Sequence, residues 1–212
     1  MTQRRPDRAE LEAARGRAIG DVLPAAGEPL AVLLCGINPS LYSGATGHHF
    51  ARPGNRFWPA LYRSGWTDRL LAPGEQHLLP SYGLGITNLV DRATARADEL
   101  TDTELCAGGE RLAALVARVS PRYVAVAGVT AYRIAFGSRR TSIGPQPGTL
   151  GPALLWVLPN PSGLNASWTL DRIAAELRRL KNAACGDDGG LAGSGQSGLA
   201  RENLNPWRQV VV

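Results

Sequence analysis

An asparagine followed by a proline, Asn38-Pro39, comes directly after the first strongly apolar run of the chain. Proline keeps the preceding residue out of the helical region, so the backbone of Asn38 is fixed in a turn. A primary amide can hold a water molecule and point an oxygen lone pair at an electrophilic carbon, although it is a poor base. This chemistry suits only easy hydrolyses. Taken alone, an Asn-Pro pair is more typical of an Asx turn that caps a strand.

The next segment carries groups that suit a flat ring. It contains Gly44 and Gly47, followed by His48, His49 and Phe50. A flexible segment that ends in an aromatic residue can form a slot for a planar ring, and its backbone N–H groups can bind carbonyl oxygens. Phe50 is therefore a candidate for stacking, with an ordinary core phenylalanine as the alternative. Two adjacent histidines with no third ligand nearby are a weak metal signal, so we assign no metal.

A second unusual segment runs through Asn160-Pro161-Ser162-Gly163-Leu164, between an apolar run and the last helical pattern. A leucine beside a glycine is typical of an apolar wedge that enters a stack of bases, with the backbone left free to contact a neighbouring base. The alternative is a plain strand-to-helix turn that packs Leu164 into the core.

The surrounding pattern predicts how both segments are positioned. Continuous apolar runs predict strands buried on both faces; they cover 29–36, 84–90, 122–128 and 153–161. Helical patterns lie between most of them and after the last one, at 56–64, 102–118, 129–136 and 167–181, with Thr101 or Asp102 and Ser167 as candidate N-caps. Alternating strands and helices predict a parallel sheet. Ligands bind such sheets beyond the carboxyl ends of the strands, where both segments begin.

The length of 212 residues predicts one domain with additional segments at its ends. Residues 7–20 have an amphipathic pattern through Leu11, Ala14 and Ile19, so we expect residues 1–22 to form a helix that docks on a domain of residues 23–182. Residues 183–212 are rich in Gly and Ser, and we expect a disordered tail there.

Composition limits the class of protein further. The formal net charge is +5, with Lys181 as the single lysine, which suits phosphate binding but can equally follow from the base composition of the gene. No apolar run approaches the ~20 residues of a membrane helix, and the first twenty residues lack the apolar core of a secretory signal, so we expect a cytoplasmic protein. Cys35, Cys106 and Cys185 have no metal-binding spacing, and we predict neither a disulfide nor a cofactor.

Five spaced motifs together resemble the mismatch-specific uracil/thymine DNA glycosylases of the uracil-DNA glycosylase superfamily. In chain order they are Gly36-Ile37-Asn38-Pro39, Gly47-His48-His49-Phe50, Pro53-Gly54-Asn55-Arg56-Phe57-Trp58, Gly85-Ile86-Thr87-Asn88 with Val90-Asp91-Arg92, and Asn160-Pro161-Ser162-Gly163-Leu164. The resemblance covers about residues 30–180. It implies a three-layer α/β/α sandwich with a short, mainly parallel central sheet.

The resemblance also implies roles for single residues. Asn38 would position the attacking water, Phe50 would stack on a base flipped out of the duplex, and the backbone near Gly163 would face the widowed guanine. Leu164 would fill the space that the base leaves. The remaining residues that it implicates are Ile37, Ser43, His49 and Asn88 in the base pocket, and Asn160 and Ser162 in the insertion loop, which we define as residues 160–164.

The implied activity is hydrolysis of the N-glycosidic bond of uracil mispaired with guanine, and the implied partner is duplex DNA with a G·U or G·T mismatch. We expect a monomer of bacterial type, associated with the nucleoid through DNA. Three positions depart from the family's pattern. Asn88 stands where bacterial members often have lysine, which extends the expected substrates to thymine. Ala166 replaces a frequent arginine, which weakens the expected grip on the opposing strand, and Ser40 replaces a usual glycine. Etheno-cytosine mispaired with guanine is a further expected substrate.

Two alternatives remain open at this stage. The first is a glycosylase for uracil in any context, including single strands, that does not use the wedge. The second is a damaged-DNA binding module without catalysis.

Overall fold

The computed structural model describes residues 4–186 and contains one five-stranded sheet. Its strands are β1 (Val32–Gly36), β2 (Leu84–Asn88), β3 (Tyr123–Ala127), β4 (Gly144–Leu150) and β5 (Ala153–Leu158). The order across the sheet is β2-β1-β3-β5-β4. All neighbours pair in parallel except β4, which runs antiparallel to β5. The prediction of a mainly parallel sheet is therefore confirmed.

Helices connect most of the strands. They are α1 (Arg8–Ala13), α2 (Leu41–Thr46), α3 (Phe57–Arg63), α4 (Asp102–Val119), α5 (Val129–Phe136) and α6 (Leu170–Cys185), with 3₁₀ helices at Pro73–Tyr82 and Ala97–Glu99. The N-cap of α4 is Thr101, one of the two predicted candidates, and its side chain forms a capping box with Glu104. Within residues 4–186, no helix combines the length and apolarity needed to cross a membrane.

The central strands bury both of their faces. Leu33 and Cys35 of β1 belong to one core cluster, which α4 and α5 cover, whereas Val32 and Leu34 belong to the other, which α3 and α6 cover. Successive side chains of a strand point to opposite faces, so a continuous apolar run is what a sheet between two helical layers requires. The three-layer α/β/α sandwich is confirmed.

The edge strand β4 was not predicted from the sequence. Its residues, GPQPGTL, include two prolines that cannot donate to a ladder, and most of its side chains are at least partly exposed. Proline is tolerated in a sheet almost only at an edge, where the missing N–H faces outward. A strand of this composition is indistinguishable from a loop until its partner β5 is known.

The first and last helices differ from their predicted bounds. Helix α1 stops at Ala13, and Gly16 then adopts a positive φ of 77° that no helix can continue through. Thr169, not Ser167, is the N-cap of α6, so that prediction was wrong. Because α6 continues to Cys185, residues 183–185 are helical and were wrongly assigned to the tail. The rest of the predicted tail, from residue 187, lies outside the described residues.

The segment between α1 and β1 lies against the end of the sheet. Gly16 donates a backbone hydrogen bond to Ala93, and Ala93 donates one to Arg17, both at 2.9 Å. Further along, Val22 forms an antiparallel bridge with Ile86 on the outer side of β2. These contacts place the N-terminal segment beside the loops that follow β1 and β2.

Candidate active site

A cleft of about 550 Å³ lies at the carboxyl ends of the parallel strands. Nine of the predicted site residues line it, and they are Ile37, Asn38, Ser43, His49, Phe50, Asn88, Asn160, Ser162 and Leu164. Gly163 does not line it, because it lies directly on the turn before α3. A Cβ atom added to Gly163 would come within 2.8 Å of the Gly54 carbonyl oxygen. The structure thus brings the two segments that follow β1 and β5 to one place.

The Asn38 side chain has a defined orientation. Its Nδ2 atom donates to the carbonyl oxygens of Pro39 (3.2 Å) and Arg92 (3.1 Å) and to the Thr94 hydroxyl (2.7 Å). The carbonyls can only accept, and so can the hydroxyl here, since the Thr94 Oγ1 donates its proton to the Arg96 carbonyl (2.7 Å). The amide cannot be reversed without losing all three bonds. Among the described residues no hydrogen bond engages its Oδ1 atom, and Asn38 lines the cleft.

Thr94 was not singled out in the sequence, although it fixes the amide of Asn38. It is 1% exposed and lies on the loop after β2, which runs beside the loop after β1 through the Ser40–Thr94 bridge. The sequence carries no signal for this role, because a threonine in a polar loop is ordinary. Only the parallel pairing of β1 with β2 brings it to Asn38.

Phe50 forms one wall of the cleft. Its ring stacks on that of Phe57 with the centroids 4.1 Å apart and the planes 20° from parallel. The backbone of Phe50 has a positive φ of 52°, which is strained for a bulky residue and is found most often at functional sites. A Cβ atom on Gly36 would lie 3.3 Å from the Phe50 ring and 2.4 Å from the Asn88 Oδ1 atom. Glycine at position 36 thus leaves room for the Asn88 side chain.

His49 is a buried neutral residue. Its Nε2 atom lies 3.0 Å from the Gly20 carbonyl oxygen, which can only accept, so Nε2 carries the proton and Nδ1 accepts from the Asn88 Nδ2 atom at 3.4 Å. Burial lowers the pKa of His49, since the charged ring would lose its contact with water. The Gln76 side chain accepts from the His49 backbone N–H at 2.7 Å, a contact that the sequence did not predict. Among residues 4–186, no group of three metal-binding side chains exists.

Ser43 lines the cleft, but its hydroxyl holds the first loop together. It accepts from the Ala51 backbone N–H (3.3 Å) and from the Ser40 hydroxyl (3.2 Å). Ser40 is also the N-cap of α2, where its Oγ accepts from the Ser43 backbone N–H (3.1 Å). The serine at position 40 thus contributes a helix cap, which a glycine would not.

The insertion loop presents Leu164 to solvent. The Asn160 Oδ1 atom accepts from the Ser162 backbone N–H at 3.0 Å, and the Ser162 hydroxyl accepts from the Leu164 backbone N–H at 3.3 Å. Within this loop the Leu164 side chain is 74% exposed, so packing into the core is excluded as its role. An exposed leucine on an ordered loop at the mouth of a cleft fits the wedge that the sequence predicts.

Charged groups are sparse in the cleft. Among the described residues that line it, Asp98 is the single carboxylate, and Arg96 pairs with it at 2.6 Å. That hydrogen-bonded guanidinium lowers the pKa of Asp98 and keeps it ionised. The cleft therefore offers amides, backbone groups and an aromatic ring next to Asn38, without a carboxylic acid to protonate a leaving group.

A comparison with protein families agrees with this geometry. The model of the uracil DNA glycosylase superfamily matches residues 25–183, about three quarters of the chain, and the match includes every predicted site residue. The arrangement of the cleft and the extent of this match lead to one assignment. The chain belongs to the uracil DNA glycosylase superfamily.

Proposed function

We propose that the protein hydrolyses the N-glycosidic bond of uracil mispaired with guanine in double-stranded DNA. As a member of this superfamily the protein is a DNA glycosylase, and its substrate is DNA. The preference for a mismatch and the roles of single residues are the proposal. The observation that carries it is the fixed amide of Asn38, whose Oδ1 atom is left for a water molecule.

The scarcity of acids in the cleft supports this mechanism. Without a general acid, the bond between the base and C1′ must break with its electron pair remaining on the base. Backbone N–H donors of the pocket stabilise the resulting anion, so the sugar becomes oxocarbenium-like before water adds. Asn38 then needs only to hold that water against C1′, and as the new C1′–O bond forms the water proton passes to solvent. An amide that is a poor base is sufficient for this step.

Selectivity for a mismatch follows from the cost of flipping. Turning a base out of the stack costs a few kcal/mol and costs least where the base is mispaired. In this proposal Leu164 enters the vacated space, and the flipped ring lies against Phe50. The neutral Asn88 amide is compatible with a 5-methyl group on the ring, so we propose thymine as a further substrate. We propose etheno-cytosine as well, on the resemblance of the motifs alone.

Release of base from defined oligonucleotides tests the proposal. Labelled duplexes with G·U, G·T or A·U and a single strand with uracil would be incubated with excess protein, and abasic sites cleaved with alkali. We expect the wild type to act fastest on G·U. In Asn38→Ala the single-turnover rate should fall about 100-fold or more while binding of the duplex is retained, since only the water-holding group is removed.

Asn182→Ala is the matched control, because it makes the same substitution at an exposed position of α6 away from the cleft. Equal rates on single-stranded and mismatched uracil would replace the proposal with a general uracil glycosylase. Binding of G·U duplex by the wild type without any release of base would instead indicate a binding module.

A further inference from the structure

The insertion loop is held by a side chain from the turn before α3. Arg56 immediately precedes α3, and its guanidinium reaches the segment between β5 and α6. One terminal nitrogen, Nη1, donates to the Trp168 carbonyl, and the other, Nη2, donates to the carbonyls of Ser162 and Asn165, the latter at 2.8 Å. The Arg56 backbone N–H also donates to Pro161 at 3.0 Å.

These four bonds surround Leu164 in sequence. Pro161 and Ser162 precede it, and Asn165 and Trp168 follow it, so both ends of the exposed turn are tied to one residue. Three carbonyls on one guanidinium require the planar fork of arginine, because a lysine ammonium presents a single point from which to donate. The contact of Gly163 with the Gly54 carbonyl adds a close backbone approach at the same place.

Arg56 makes no ion pair within residues 4–186, and its Nε atom is buried without a hydrogen-bond partner. Its charge is therefore matched only by backbone dipoles. Burying a donor without a partner costs free energy. The hydrogen bonds from Arg56 to the loop offset that cost.

We propose that Arg56 is a positioning residue for the wedge. It holds the loop that carries Leu164 in its inserting conformation before DNA arrives, so that extrusion of the base depends on Arg56 while cleavage of the glycosidic bond does not. This inference rests on the proposed function and names a residue through which base flipping is controlled. This preorganisation matters because a change far from the reacting atoms that misplaces them by about 1 Å can lower the rate about a hundredfold.

The test compares a substrate that must be flipped with one that need not be. Single-turnover rates would be measured on a G·U duplex and on single-stranded uracil for wild type, Arg56→Met and Arg56→Lys. We expect Arg56→Met to lose about 10- to 100-fold on the duplex and less than about threefold on the single strand. Arg56→Lys should remain defective on the duplex, since charge alone does not restore the fork.

Arg63→Met is the matched control, because Arg63 lies at the end of α3 and pairs with Asp171 of α6 without touching the loop. It removes the same charge and a contact between α3 and α6, but leaves the bonds to the insertion loop intact, and its two rates should both stay close to wild type. Equal losses on the two substrates in Arg56→Met would overturn the proposal in favour of a general structural role. Unchanged duplex activity would overturn it as well.

A second measurement keeps the inference testable apart from catalysis. The fluorescence of 2-aminopurine placed beside the uracil rises when the base leaves the stack, and we expect this rise in wild type and its loss in Arg56→Met. Leu164→Ala should cause little further loss in the Arg56→Met background, because the two changes disable the same step. A wild type that flips but releases no base would contradict the proposed function alone, and the fluorescence of the variants would still decide on Arg56.

Discussion

Three acceptors around the NH₂ group of Asn38 determine what its side chain offers to a substrate. Two of the acceptors are backbone carbonyls, and the third is the Thr94 hydroxyl. The amide is positioned from a neighbouring loop, while its oxygen is left for the reaction. At the scale of single residues, the proposed role of Asn38 therefore depends on Thr94, a residue that does not itself react.

Replacing Thr94 by valine should therefore slow the reaction without removing Asn38. The variant leaves two carbonyls to orient the amide, and we expect the single-turnover rate on G·U to fall about tenfold, equivalent to one hydrogen bond. Thr94→Ser keeps the hydroxyl and is the matched control. If serine and valine reduce the rate equally, packing of the methyl group, and not the hydrogen bond, is what positions Asn38.

The sequence predicts the role of a single residue only where that residue belongs to a short motif along the chain. Asn38 and Leu164 could be predicted because each belongs to a short motif next to a strand end. Thr94 lies 56 positions from Asn38, and the carbonyl of Trp168 lies 112 positions from Arg56. Contacts between residues so far apart in the chain depend on the order of the strands in the sheet. The spacing of motifs along the sequence does not predict that order.

At the scale of elements, helix α4 fits closely between two neighbours through a pair of glycines. A Cβ atom on Gly108 would lie 2.3 Å from the Leu89 carbonyl oxygen, and one on Gly109 would lie 2.6 Å from the Ala135 carbonyl oxygen. Leu89 directly follows Asn88, so the position of α4 sets the end of β2 at the cleft. The sequence predicts α4 from its capping residues and apolar stripe, but the purpose of two glycines inside it becomes clear only from the packing.

The Gly108→Ala substitution should destabilise the protein although alanine is the better helix former. Helix propensity favours alanine by about 1 kcal/mol. The added methyl group would collide with backbone, and overpacking typically costs about 1–3 kcal/mol, so the net free energy of unfolding should decrease. Urea denaturation measures it.

Ala107→Gly calibrates the Gly108→Ala result, because the exposed neighbouring position reports the propensity difference alone. A Gly108→Ala protein more stable than wild type would show that α4 can move away from Leu89.

At the scale of the whole molecule, His49 joins parts that are distant in the chain. Its ring contacts Gly20 of the N-terminal segment and Asn88 at the end of β2, while its backbone contacts Gln76 and the Trp58 indole N–H. The fold around the cleft is therefore coupled to one titratable group.

Stability should consequently fall as the pH drops below about 6.5, the ordinary pKa of histidine. Burial lowers the pKa of His49 in the folded state, so the unfolded chain binds the proton first and protons favour unfolding. The lowered pKa values of Glu75 and Glu104, each about 2 because of arginine partners, add further loss only below their ordinary value of 4.5. The two effects occupy separate ranges of pH.

Denaturation midpoints measured at intervals from about pH 7.5 to 5 would check this expectation. His49→Gln should make the dependence in this range shallower, and His77→Gln, at an exposed position, is the matched control. If the denaturation midpoint changes with pH equally in wild type and in His49→Gln, the pH dependence arises from other groups.

Each border of the sheet carries a feature that hinders pairing with a further strand. Val22 bridges to Ile86 on the outer side of β2, while prolines at positions 145 and 147 interrupt the donors of β4. Open edges are the template on which copies of a protein pair into aggregates and fibres. The bridge on one border and the prolines on the other therefore both disfavour pairing of copies through the edges of this sheet.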